Sequence, residues 1–75
     1  MNSFNQFLAS LDLSTRGKRR KTIAFVIDLL EKIRLAEEGY MERMPLNLQD
    51  SDAYAAADFS VESISDAVLG LSDAY

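Results

Sequence analysis

The sequence predicts an all-α protein: an antiparallel helical hairpin preceded by a short amphipathic helix. Two arrangements satisfy it, a small three-helix bundle and a dimer of hairpins. Apolar residues recur at alternating steps of three and four along two stretches of equal length. Only residues 45–50, which hold the sole proline, separate the two helices that carry those stretches, and a connection that short makes neighbouring helices antiparallel. The composition, 48% hydrophobic and 27% charged, suits a folded domain and is too apolar for a disordered acidic tail. A chain of 75 residues holds one domain, residues 1–75.

The first helix spans 3–13. Phe4, Phe7, Leu8 and Leu11 fall at i, i+3, i+4 and i+7, one stripe of a helix. Ser3 with Gln6 has capping-box spacing, and Ser14, Thr15 and Gly17 supply a break over 14–17.

The second helix spans 18–44. Its seam reads Ile23, Val26, Leu30, Ile33, Glu37, Tyr40 and Met44, with Glu37 the one polar member, a snorkelling edge residue. Pro45 ends it, because the residue before proline leaves the helical region. Phe25, Ile27, Leu29, Leu35 and Met41 lie off this seam, so the helix needs a second cover. Either the first helix or another subunit provides it, since a bare two-helix hairpin is marginal.

The loop over 45–50 offers Leu46 or Leu48 as a plug for the open end of the hairpin. Ser51 is a good N-cap for the third helix, 51–74, and Asp52 suits the positive end of its dipole. The third seam is Tyr54, Ala57, Val61, Ile64, Val68, Leu71 and Tyr75. Gly39 and Gly70 weaken the helices that hold them, and Gly39 also permits a close helix approach.

Met44, Pro45, Asn47, Leu48, Gln49 and Ser51 form an M-P-x-N-L-Q-x-S connection, with Lys18 to Lys21 upstream. Over residues 18–72 this pattern resembles a group of uncharacterised small acidic helical-hairpin proteins of Gram-positive bacteria, their phages and mobile elements. The resemblance implies a hairpin fold and an accessory protein of a phage or mobile element. It brings no activity with it.

Composition narrows the function. Without Cys or His there is no disulfide framework, no thiolate or imidazole metal site, and no Ser-His or Cys-His couple. No carboxylate group has the spacing of a calcium loop. The expectation is a non-enzymatic protein with no cofactor, no metal and no small-molecule site. Residues 1–15 carry no basic n-region, and the longest uncharged stretch, Met1 to Leu11, is far short of a membrane span. A cytoplasmic protein of a bacterial host cell, with no membrane partner, is therefore expected.

Charge is divided between two regions. Residues 1–21 hold five basic and one acidic side chain (+4), and 22–75 hold three basic and eleven acidic (−8), for a net −4. The acidic residues Asp58, Glu62 and Asp66, with Glu38 and Glu42 on the second helix, form candidate partner-binding faces. Their spacing of ~6 Å approaches that of backbone phosphates, so a DNA-mimic inhibitor of a host defence nuclease, of anti-CRISPR or anti-restriction type, is one reading. A solvated face that keeps the protein soluble is the plainer one. The basic block Arg16, Lys18, Arg19, Arg20 and Lys21 is a candidate nucleic-acid grip. In an antiparallel hairpin the same block stands beside Asp66, Asp73 and the C-terminal end of the third helix, where it is either solvated or paired within the chain. Phe59, Leu35 and Met41 are candidate apolar anchors for a protein partner, a host protein or a second copy of the chain.

Overall fold

A computed structural model describes residues 3–75, the side chain of Phe4 excepted. Helix α1 spans Ser3–Ser10, α2 Arg16–Glu42 and α3 Asp52–Ala74, and there is no strand among the described residues. The protein is an all-α antiparallel hairpin, α2 against α3, with a short N-terminal helix.

Each boundary has a local cause. Thr15 takes extended angles and its hydroxyl accepts from the Lys18 amide at 3.1 Å, so α2 begins at Arg16, earlier than the predicted Lys18. Gly17 falls inside the first turn rather than in the break. Arg43 caps the other end, donating its amide to the Gly39 carbonyl at 3.1 Å. Pro45 then starts a single 3-10 turn, Leu46–Leu48, and Ser51 caps α3 as predicted by accepting from the Tyr54 amide at 3.2 Å.

The turn corrects one expectation. Leu46 is 85% exposed and Leu48 is also exposed, so neither plugs the hairpin. Half-buried Met44 and Gln49 fill that end, the Gln49 amide donating to the Met44 carbonyl at 3.4 Å. The 3-10 turn leaves Leu46 in solvent, while Leu48 lines an open cleft with Tyr40, Arg43, Met44 and Pro45.

The α3 seam is as predicted from Tyr54 to Leu71, whereas Tyr75, its expected last member, is exposed. Tyr54, Val61, Ile64, Val68 and Leu71 are half-buried, and Ala57, 4% exposed, is the only buried residue among those described. On α2 the seam is displaced. Ile23, Val26, Leu30, Glu37 and Met44 are half-buried, but Ile33 and Tyr40 are exposed, while Ile27, Arg34 and Met41 take places beside the seam. Steps of four and three satisfy the heptad as well as steps of three and four, and α2 takes that alternation from Leu30 onward.

Helix α1 is only lightly attached. It runs back along the first turns of α2, with the Phe7 and Phe25 rings 6.3 Å apart and tilted by 51°. Between them lies an open cleft of about 250 Å³ lined by Phe7, Leu11, Lys21, Thr22 and Phe25. Of the predicted stripe, the side chain of Phe4 lies outside the described residues. Among the described side chains, Phe7 and Leu11 of the N-terminal segment cover Thr22 and Phe25 at the first turns of α2.

The molecule is accordingly a plate of 51 × 33 × 15 Å. Its short dimension is little more than one helix diameter of ~10–12 Å. The radius of gyration is 16.3 Å, against about 11 Å for a compact chain of this length. Exposed surface is 5767 Å², against about 4,600 Å² for a compact protein of 8.4 kDa. Most domains close a core between two layers, and this chain has one.

Candidate functional site

A one-layer hairpin has two broad sides, and helical geometry decides what each carries. One residue is a turn of about 100°, so the residues just before a seam form a stripe on one side and those just after form a stripe on the other. In an antiparallel pair of right-handed helices, the two stripes that precede their seams fall on the same side of the plate.

On α2 the stripe before the seam is Thr22, Phe25, Leu29, Ile33, Ala36 and Tyr40. Phe25, Leu29, Ile33 and Tyr40 are each between 44% and 50% exposed. On α3 it is Ala53, Ala56, Ser60, Ser63, Ala67, Gly70 and Ala74, spaced three and four throughout. Neither stripe contains a charge between its end members. A ridge of large apolar side chains thus lies beside a strip of small ones.

The opposite side is acidic. Asp28, Glu31, Glu38 and Glu42 follow the α2 seam, and Asp58 and Glu62 follow that of α3. The predicted acidic residues Glu38, Glu42, Asp58 and Glu62 therefore share one face, while exposed Asp66 sits further round toward the outer edge of α3. The face is partly neutralised. Arg34 bridges Glu31 at 2.6 Å and Glu38 at 2.7 Å, with its side chain only 22% exposed. The Arg34 guanidinium holds the Glu31 carboxyl below the ordinary glutamate value, and Glu31 and then Glu38 raise the pKa of Arg34. Asp58, Glu62 and Asp66 make no ion pair among the described residues.

The predicted apolar anchors are not brought together. Phe59, 71% exposed, points from the outer edge of α3. Leu35 is exposed on the acidic side of α2. Met41 is half-buried beside the seam, which corrects its assignment as an exposed anchor; it takes the place that Tyr40 was expected to fill. The ridge that does form includes Ile33 and Tyr40, which the sequence reading sends to the seam. Their signal was a second heptad stripe one residue ahead of the first.

The basic block lies beside the end of α3, as expected, with the Arg16 guanidinium 4.6 Å over the Tyr75 ring. Its partners differ from those predicted. Lys18 pairs with Asp12, and the Arg19 guanidinium donates to the Leu13 carbonyl at 2.9 Å. Neither Asp66 nor Asp73 forms an ion pair with the block among the described residues. The linker folds back over the first turn of α2 and reaches those bases before α3 does. Asp12 also accepts from the Ser14 amide at 3.0 Å and hydroxyl at 2.7 Å. Lys18 first, and then Ser14, hold the Asp12 carboxyl below its ordinary value. Arg20 and Lys21 are exposed.

The approach at Gly39 is also local. A Cβ there would meet only the flexible end of Arg43, at 3.1 Å, and no neighbouring helix.

The chain matches no protein-family model, no curated protein and no solved structure. Among the described residues no helix is long and apolar enough to cross a membrane.

Proposed function

We propose that this protein is a non-enzymatic interaction module whose uncharged side docks onto another protein. One observation carries this reading: a folded hairpin that leaves Phe25, Leu29, Ile33 and Tyr40 about half exposed along a single uncharged side. Large contiguous apolar patches mark interaction sites, and aromatic residues concentrate the binding energy there. The acidic side steers the approach of basic partners. The phage or mobile-element origin implied by the loop motif belongs to the same proposal, with a host protein as one kind of partner.

The reading is tested by affinity capture with three baits: wild type, Leu29→Asp with Tyr40→Asp, and Leu35→Asp on the acidic side. A protein retained by the first and third and lost with the second supports it. A second copy of the chain counts as such a protein. Identical retention by all three baits, together with a monomeric mass, refutes it.

A second reading, nucleic-acid mimicry, has its own support. Carboxylates from two helices converge on one side, and those on α3 are unpaired. Reversal of Asp58, Glu62 and Asp66 to Lys then abolishes inhibition of the target nuclease without loss of helicity. Retained inhibition rejects it. Nucleic-acid binding through the basic block has less support, because Arg16, Lys18 and Arg19 already have partners within the chain.

A further inference from the structure

We propose that the uncharged side binds a second copy of the chain, giving an all-antiparallel four-helix bundle in which α2 of each copy lies on α3 of the other. The inference rests on the interaction reading above and names its partner. Four observations lead to it.

The first is area. Each chain exposes about 1,200 Å² more than a compact protein of its mass, surface that a partner can cover. The second is thickness. A plate 15 Å thick becomes a two-layer domain when one copy covers another. The third is charge. Each chain carries −4, and pairing through the acidic sides would oppose six carboxylates to six others; only the uncharged side permits close approach of a like-charged copy.

The fourth observation, shape, fixes the arrangement. A closed pair of identical chains has a two-fold axis, and here it runs either parallel to the helices or across them. Across the helices, the α2 ridge meets its own copy, and the strip of Ala, Ser and Gly meets another such strip, leaving a gap. Parallel to the helices, Leu29, Ile33 and Tyr40 of each ridge drop onto the partner's small strip, large against small. Helix α1 packs on Phe25 at the first turns of α2, and Leu29, Ile33 and Tyr40 stay exposed.

The parallel axis keeps heights equal, so a residue of α2 meets the partner's α3 at its own level. Counting from the Met44–Ser51 contact at the turn, Ile33 is level with residue 62, and Ser63 is the member of the small strip nearest that height. The chain contains no cysteine, so engineered thiols report without background. Light scattering across a hundredfold concentration range is expected to give twice the chain mass, falling to the single mass for Ile33→Asp and unchanged for Leu35→Asp. An equimolar mixture of Ile33→Cys and Ser63→Cys chains is expected to form a mixed disulfide dimer on mild oxidation, at least tenfold more than either variant alone. A single-chain mass for the wild type at every concentration overturns the proposal. Efficient self-cross-linking of Ile33→Cys overturns the arrangement, because it places α2 on α2. A single-chain mass alongside a protein captured only by an intact uncharged side defeats the dimer and leaves the interaction reading standing.

Discussion

Ala57 is where the hairpin is tightest, and enlarging it tests the seam. Ala57→Leu adds three carbon atoms at a position only 4% exposed, between half-buried Tyr54 and Val61. Intrinsic helix preference changes by only a few tenths of a kcal/mol, so packing decides the outcome. Overpacking a filled site costs about 1–3 kcal/mol. At about 2.1 cal/mol/K per residue, the unfolding entropy of 75 residues is about 0.16 kcal/mol/K, so the melting temperature should fall by about 6–19 °C. The assay is thermal circular dichroism at fixed protein concentration. Ala55→Leu, exposed on the acidic side of the same helix, is the control and should stay within about 0.5 kcal/mol, or roughly 3 °C. An Ala57→Leu chain that melts within 3 °C of wild type would refute the close approach of α2 and α3 at this point.

Three further perturbations address the caps and charges. Ser51→Ala removes the acceptor for the Tyr54 amide and should cost about 1 kcal/mol, read as a drop in denaturant midpoint with an unchanged slope. Arg34→Ala removes the shared counter-charge of Glu31 and Glu38, which lie two turns apart with Glu37 nearby; melting temperature should fall, and by less in high salt, which differential scans at two ionic strengths will read. Asp12 and Glu31 both have depressed pKa values in the folded chain, from ordinary values of 3.8 and 4.5. Their stabilisation is complete above those values and is lost as pH falls through the lower folded ones, so Asp12→Asn should flatten the acid limb of a stability–pH profile.

Much of this architecture is legible in the residues because periodicity is local. The α3 seam, the Ser51 cap and the hairpin topology follow from spacing and turn chemistry alone. The α2 seam resists the same reasoning for a physical reason. Two apolar stripes lie one residue apart on that helix; hydropathy favours Ile33 over Arg34, and the step of four and three from Ile33 then takes Tyr40 rather than Met41. The folded chain reverses the first choice, because Arg34 settles its head between two glutamates and frees Ile33 for the other side. Leu46 and Leu48 defeat the reading differently: hydrophobicity says they want burial, but the one-turn connection leaves Leu46 in solvent and Leu48 only partly covered beside Tyr40, Met44 and Pro45. The partners of the basic block depended on a linker whose path spacing does not encode.

A plate one helix thick has consequences for abundance as well as for shape. If its second layer is another copy, folding and assembly become one equilibrium, and the population of intact protein depends on how much of it is made. Each hundredfold excess over the dissociation constant adds about 2.7 kcal/mol of protection against unfolding. Scarce chains remain open to proteases, and abundant ones are sheltered. The exposed ridge of α2 would then act as a dosage threshold, holding the protein at low levels until its synthesis rises far enough for copies to meet.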